Sequence, residues 1–371
     1  MHLNKEVTFM LWKKSAPILS VLGIALSSTA VYAHVPVLNE NSLVTIPNLR
    51  PGFEFSVAAL ALQPGASNLN YVIYNKELPV QSPSWDEREI NPGYSAAFAL
   101  GAGYIFPGGK DVTLDWTHLN SSGSANVAAP SASYFLGPDY EIGPDGLQTR
   151  NASGSSQFKY DVINLSVGQF VDFGRQVQLR FFGGLSNAYL REQVNATYSG
   201  TVVAPPYAGP FSTRQEVTAN FTGLGPRVGI GATYETGYYG IGFLGEAAAS
   251  ALVGSAYSKA AYLSSAEELK AVYGQNTNSQ YIKDKSVTQI IPGFDAKLGL
   301  SYKYTFNQCT TLTVKAGYQA AVYVNAISQY IPASLVAGEP FNTGGIFVAT
   351  MSHTLSNYSV QGPFLEAKVE V

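Results

Sequence analysis

In the segment FDAKLGLSYKYTF, Phe294, Ala296, Leu298, Leu300, Tyr302, Tyr304 and Phe306 take every second position, with Asp295, Lys297, Gly299, Ser301, Lys303 and Thr305 between them. After the short polar connection NQC the pattern resumes: Leu312, Val314, Ala316, Tyr318, Ala320, Val322 and Val324 alternate with Thr311, Thr313, Lys315, Gly317, Gln319, Ala321 and Tyr323. A strand points successive side chains to opposite faces, so each segment has one apolar face and one face carrying full charges. The pair reads as a β-hairpin. Aromatic residues lie toward the ends of its apolar rows and small aliphatic residues toward the middle, as where rings occupy the two borders of a hydrocarbon slab. About thirteen residues at roughly 3.3 Å each, tilted by about 40°, rise on the order of 30 Å, enough to cross the apolar band of an outer membrane. Soluble sandwiches and lipocalin-like barrels alternate too, with strands about half as long.

The same pattern predicts ten strands, at 52–63, 93–105, 111–119, 157–171, 176–190, 216–233, 240–253, 293–306, 310–325 and 361–371. In the first, the row Phe53, Phe55, Val57 and the row Leu60, Leu62 compete for the outward face, and the phase stays open. Short connections such as PGGK, DFGR and TGYYG alternate along the chain with long Ser-, Asn-, Gly- and Pro-rich spans. Short periplasmic turns facing long extracellular loops are the signature of an outer-membrane barrel. An even strand count brings both ends to the periplasmic side, and pairing of first strand with last leaves no open edge in lipid. The expected fold is therefore all-β, a transmembrane antiparallel up-and-down β-barrel of about ten strands, or twelve if LNYVIY hides a further hairpin. The stretch AAYLSSAEELKAVY, Ala260 to Tyr273, is read either as a short helix capped by Ser264 or Ser265 or as polar loop.

The N-terminus adds a compartment. Lys5, Lys13 and Lys14 precede an apolar core from Ile18 to Leu26, and small residues lead to Val31-Tyr32-Ala33, the form of a cleaved signal peptide over residues 1–33. Residues 34–51, with three prolines, read as a periplasmic lead-in or an inward-lying arm, and the barrel takes 52–371. Removal of the leader shifts the formal charge from −3 to −5, far from the basic balance of a nucleic-acid binder. Only 13% of residues are charged, against about 25% in ordinary soluble domains, and no apolar run of helical spanning length follows the leader. The single Cys309 excludes an internal disulfide.

Charges in the middle of strands narrow the chemistry. Arg180, Arg227, Glu246, Asp295, Lys297 and Lys315 sit opposite in parity to the apolar rows, and a charge facing lipid at mid-depth costs about 2–4 kcal/mol, so these six are expected to line the interior. Either they form a charged constriction that selects small polar solutes, or they form an ion-pair network that plugs a narrow bore, with Arg227 and Glu246 a candidate pair. No Cys pair, His cluster or calcium-type loop suggests a metal or cofactor, and GLGPRVGIG and GAGYIFPGG fall within or between strands, where small residues serve a crowded wall rather than a phosphate.

The segments VTLDWTHLNSS, TGLGPRVGIGATYE, FLGEAAASALVG and DAKLGLSYKY, in that order along the mature chain, resemble the Legionella-type major outer membrane protein family. That resemblance implies a porin-like outer-membrane barrel displayed at the bacterial surface. It also implies subunits linked by disulfides, which this chain, with Cys309 alone and none in IFPGGKDV, does not match.

Two functions follow as expectations. One is a narrow porin-like channel for small polar solutes. The other is a surface interaction protein whose loops bind host or neighbouring molecules, the barrel being only an anchor in outer-membrane lipid and lipopolysaccharide. A surface protease of the omptin kind is a rival, but His118 reads as a rim residue, His353 as a loop residue and no matched Asp-His dyad is visible, so no catalysis is expected.

Overall fold

The computed structural model describes residues 44–76, 84–130, 134–137, 147–202, 209–266, 277–283, 286–306, 310–337 and 346–371. The expected leader, the first part of the lead-in and Cys309 lie outside the described residues. No helix occurs among the described residues. The strands are β1 (Val44–Thr45), β2 (Gly52–Ala66), β3 (Asn70–Lys76), β4 (Ser84–Glu89), β5 (Ser95–Phe106), β6 (Lys110–Ala128), β7 (Tyr134–Gly137) and β8 (Leu147–Phe173). They continue as β9 (Val177–Val202), β10 (Gly209–Glu235), β11 (Ile241–Ala266), β12 (Thr277–Lys283), β13 (Val287–Thr305), β14 (Thr311–Ala337) and β15 (Ile346–Glu370).

Ten of these, the ten that alternation predicts, pair antiparallel in the order β2, β5, β6, β8, β9, β10, β11, β13, β14, β15, and β15 pairs again with β2. At that last junction Phe53 and Val371 exchange two backbone hydrogen bonds of 3.0 and 2.9 Å. β1 adds to the end of β8 and β12 to β11. The hairpin suspected at LNYVIY exists as β3, but it pairs with β4 and β7 in a separate small sheet, so the series stays at ten.

The large sheet has two chemical halves along each long strand. On β10 the exposed row near the short turn runs Tyr234, Ala232, Ile230, Val228, Pro226, Leu224, and the same row then continues as Thr222, Asn220, Thr218, Glu216, Arg214. The other face does the reverse, from Gly231, Gly229 and Arg227 to Phe221, Ala219 and Val217, all three of them buried. β8 switches between Ile163 and Asp161, β9 between Leu185 and Asn187, and β11 between Val253 and Ser255. The geometric period of two never breaks; the hydrophobic phase inverts within it. The apolar stretches on the exposed face, such as Ile163–Phe173 and Leu224–Tyr234, match the roughly 9–11 residues a tilted strand needs to cross a bilayer. We take these as the spanning segments. Beyond them the sheet has a water-facing outside and an apolar inside, the pattern of a soluble β-protein.

This inversion corrects three expectations. Spans such as 119–156, 255–289 and 326–357, read as loops, are largely continuations of strands, because polar residues outside and apolar residues inside still satisfy a ladder. The helix suspected from Ala260 is strand as far as Ala266, with Ala260 and Tyr262 buried and paired to both β10 and β12; residues 267–273 lie outside the described residues. The open phase of β2 resolves with Phe53, Phe55 and Val57 exposed and Leu60 and Leu62 buried.

Candidate functional site

All six sequence-predicted residues lie on the face opposite the exposed apolar row of the spanning part, with Arg180, Glu246 and Lys297 on one line of register through Gly231. Arg227 directs its guanidinium at Asp295, with Nη2 2.7 Å from Oδ1 and Nε 3.4 Å from Oδ2, while Glu246 stands at 3.6 Å. The expected Arg227–Glu246 pair is thus the longer of two contacts, because Asp295, one strand beyond, fits the guanidinium fork more closely. Lys315 meets Glu366 at 2.7 Å. Arg180 meets Asp111 at 2.7 Å and donates to the Thr113 hydroxyl at 3.2 Å. Lys297 faces Glu246 across the β11–β13 ladder, outside ion-pair contact. Glycines opposite make room for these long side chains: a Cβ on Gly168 would fall 2.8 Å from the Arg180 Nε.

Further members of the network were missed. Asp111 and Asp115 on β6, Glu54 on β2, and Glu366, Lys368 and Glu370 on β15 face the same way, with Lys368 2.5 Å from Glu54 and 3.1 Å from Glu370. The parity signal was present for most of them, since Asp111 and Asp115 flank Val112 and Leu114, and Glu366 and Lys368 flank Ala367. Glu54 was hidden by the unresolved phase of its strand. Phe182 carries no parity signal, yet its ring lies between two cations, 4.8 Å from Arg180 and 4.9 Å from Arg227. Each such contact is worth about 0.5–2 kcal/mol, depending on desolvation.

Past the switch in phase, the enclosed face carries a continuous apolar cluster. Tyr358 stacks on Tyr160 at 6.3 Å and meets Phe158 edge-on at 5.7 Å, and the Tyr160 and Tyr323 hydroxyls are 3.4 Å apart. Leu60, Leu119, Leu190, Phe221, Leu252 and Ile291, drawn from six strands, complete the layer. The small sheet is tied to it: Tyr71, Val72, Ile90 and Leu136 belong to the same cluster, and the Tyr198 hydroxyl donates to the Tyr71 carbonyl. A cavity of about 220 Å³ remains above the layer, lined by Asn68, Gln215, Gln329, Ser356 and their neighbours. Polar and charged groups thus occupy this face in the spanning part, and an apolar cluster occupies it beyond.

The histidines differ from expectation. His118 does have an acidic partner, Asp161, at 2.7 Å, but the pair sits on the exposed face where the apolar band ends, beside Trp116 and Phe98. His353 Nε2 is 2.8 Å from the Ser328 hydroxyl. Among the described residues no group of His, Cys, Asp and Glu could hold a metal.

An antiparallel sheet with an apolar band on its exposed face and an ionic network on its enclosed face defines a membrane-spanning β-protein. The chain belongs to the family described as Legionella pneumophila major outer membrane protein precursor, whose model matches residues 45–371, and it is accordingly a bacterial outer-membrane protein. A search of curated proteins finds no match. Among solved structures the chain is similar to the outer membrane protease OmpT from Escherichia coli, at 10% identity over 88% of this chain and 99% of that one, TM-score 0.33. It is also similar to a Pseudomonas aeruginosa FadL homologue (8% identity, 86% and 90%, TM-score 0.24) and to the P. putida toluene transporter TodX (7% identity, 88% and 93%, TM-score 0.26). At these TM-scores the likenesses carry no argument about activity.

Proposed function

We propose that the ten-strand series is a closed up-and-down transmembrane barrel whose lumen is shut at rest, so that its work lies in the extracellular extension of its strands and not in passive flow. The observation that carries this reading is the buried layer around Tyr160, Tyr323 and Tyr358, which spans the enclosed face above the charges. A narrow barrel has little spare bore, and a polar solute crossing an apolar layer loses its hydrogen bonds. In this reading Arg180, Arg227, Glu246, Asp295, Lys297 and Lys315 are mainly structural.

A second reading, the narrow channel for small polar solutes, is favoured by one feature: Asp115 is inward-facing yet exposed, so water reaches the polar half. Flow then requires the tyrosine layer to move. The His118–Asp161 and Ser328–His353 pairs are taken as structural contacts of the outer face, with no catalytic role. Planar-bilayer recording decides between the two main readings. The closed reading expects no steady conductance from the wild-type protein and discrete steps from a Tyr160→Ala, Tyr358→Ala variant; steady ohmic steps from the wild type would sink it.

A further inference from the structure

Among the described residues, the exposed face of the ten-strand series beyond the apolar band is basic on one side only. On β9 the outward order runs Leu185, Asn187, Tyr189, Arg191; on β11 it runs Val253, Ser255, Tyr257, Lys259. In both, the aliphatic row gives way to a tyrosine and then to a cation. Tyrosines favour the membrane–water interface, and one further outward step along a tilted strand rises about 5 Å, into the head-group layer.

The cations come in opposed pairs. Lys159 stands directly across from Arg191, and Lys259 directly across from Lys283 on β12. Like charges facing each other across a ladder destabilise a sheet unless an anion lies between them. None of the four has a carboxylate in ion-pair distance among the described residues: Arg191 donates to the Gln193 side-chain carbonyl at 3.2 Å, and Lys283 lies 6.0 Å from the Tyr257 ring. The two carboxylates nearby on this face are engaged already, Asp161 by His118 and Glu216 by Arg214. On β15 and β2 and just before β5 the corresponding outward positions are Asn357, Gln63 and Tyr94, without charge.

We infer that Lys159, Arg191, Lys259 and Lys283 form a docking surface for the phosphorylated glycolipid of the outer leaflet, its phosphates bridging each opposed pair while acyl chains lie on the apolar band below. The inference rests on reading that band as lipid-facing. Charge complementarity selects the occupant, because basic clusters at a membrane border recognise anionic head groups.

Native mass spectrometry of the full chain with bisphosphorylated lipid A, enzymatically dephosphorylated lipid A and phosphatidylglycerol tests it. The expected result is retention of bisphosphorylated lipid A at least about tenfold above the other two, a loss of about tenfold in a variant carrying Lys159→Gln, Arg191→Gln, Lys259→Gln and Lys283→Gln, and retained binding when the three lysines become arginine. If the fourfold variant does not fold, Lys259→Gln with Lys283→Gln is expected to lose about threefold. Equal retention of dephosphorylated lipid A, equal retention by a folded glutamine variant, or displacement by millimolar inorganic phosphate overturns the inference. Protease protection after insertion into phosphatidylethanolamine vesicles separates the two failures: insertion without lipid A preference refutes only the docking surface, while failure to insert refutes the membrane reading itself.

Discussion

Arg227 and Asp295 are joined by a forked contact, 2.7 and 3.4 Å, that reaches past the intervening strand β11, and the arginine is only 7% exposed. The pair links β10 to β13 independently of any backbone ladder. Removing Asp295 leaves the buried Arg227 with only the longer contact to Glu246 at 3.6 Å, at a cost at or below the roughly 3–5 kcal/mol of a fully orphaned buried charge, whereas replacing both with apolar residues of similar size is often neutral. Asp295→Asn is therefore expected to lower stability strongly and Arg227→Met with Asp295→Leu much less. A double-mutant cycle on urea unfolding midpoints in lipid checks this. Additive single effects would show that the pair is not coupled.

Gly299 and Gly317 face each other across β13 and β14, where a Cβ would stand 2.3 Å from the Ala316 carbonyl oxygen or 2.1 Å from that of Leu298. No side-chain rotation relieves a clash with backbone, so Gly317→Ala must part the strands, at about 1–3 kcal/mol. Gly183, on the exposed face, has nothing nearer than 3.8 Å to a built Cβ, and Gly183→Ala is expected to fold as the parent does. Refolding yield of the two variants, compared side by side, is the measurement. Equal yields would remove the crowded-wall explanation of these glycines.

Residue parity alone revealed the ten strands, and it led to the expectation that the six charges face inward, because a charge in lipid is costly enough to fix a strand's phase. It failed where that cost disappears. Past Leu185 on β9, the polar Gln193, Asn195 and Thr197 look like loop, and only the half-buried Val194 and the buried Ala196 and Tyr198 between them reveal a strand with its phase reversed. The partners of the charges were less legible. Parity says that Arg227 points inward, but the choice of Asp295 over Glu246 depends on stagger between strands. The tyrosine layer was invisible for a related reason: Tyr160, Tyr323 and Tyr358 come from distant segments and meet only when the series of strands is complete.

Glu192 lies beyond the spanning part of β9, buried, with the Asn68 side-chain amide donating to Oε1 at 2.5 Å and no partner for Oε2. Burial pushes its carboxyl up to about 7, with the Asn68 bond opposing. A carboxyl raised in the folded state keeps its proton while the unfolded chain, with an ordinary value near 4.5, has lost it. The contribution of this one group to stability is thus fully present below pH about 4.5 and is lost as pH rises toward 7, by roughly 3 kcal/mol in all. Glu192→Gln is expected to flatten the urea midpoint between pH 5 and 7. An unchanged slope in that variant would assign the pH dependence to other groups.

The place where hydrophobic phase inverts should also be the place where charge stops being penalised. On β6 the exposed row runs from Leu114, 50% exposed within the apolar band, to Ser122, exposed beyond His118. Geometry treats the two alike, since both side chains point away from the enclosed face, and only the surrounding medium differs. A lysine at the bilayer middle costs about 2–4 kcal/mol and near or beyond the border about 0–1, so Leu114→Lys should unfold at far lower urea than Ser122→Lys in lipid vesicles. In detergent micelles, which adapt around a charge, the gap between the variants should shrink. Two variants equally destabilised in vesicles would mean that the switch from Trp116 to His118 does not mark the membrane border, and the tyrosine-to-cation steps on β9 and β11 would then lose their position at the head groups.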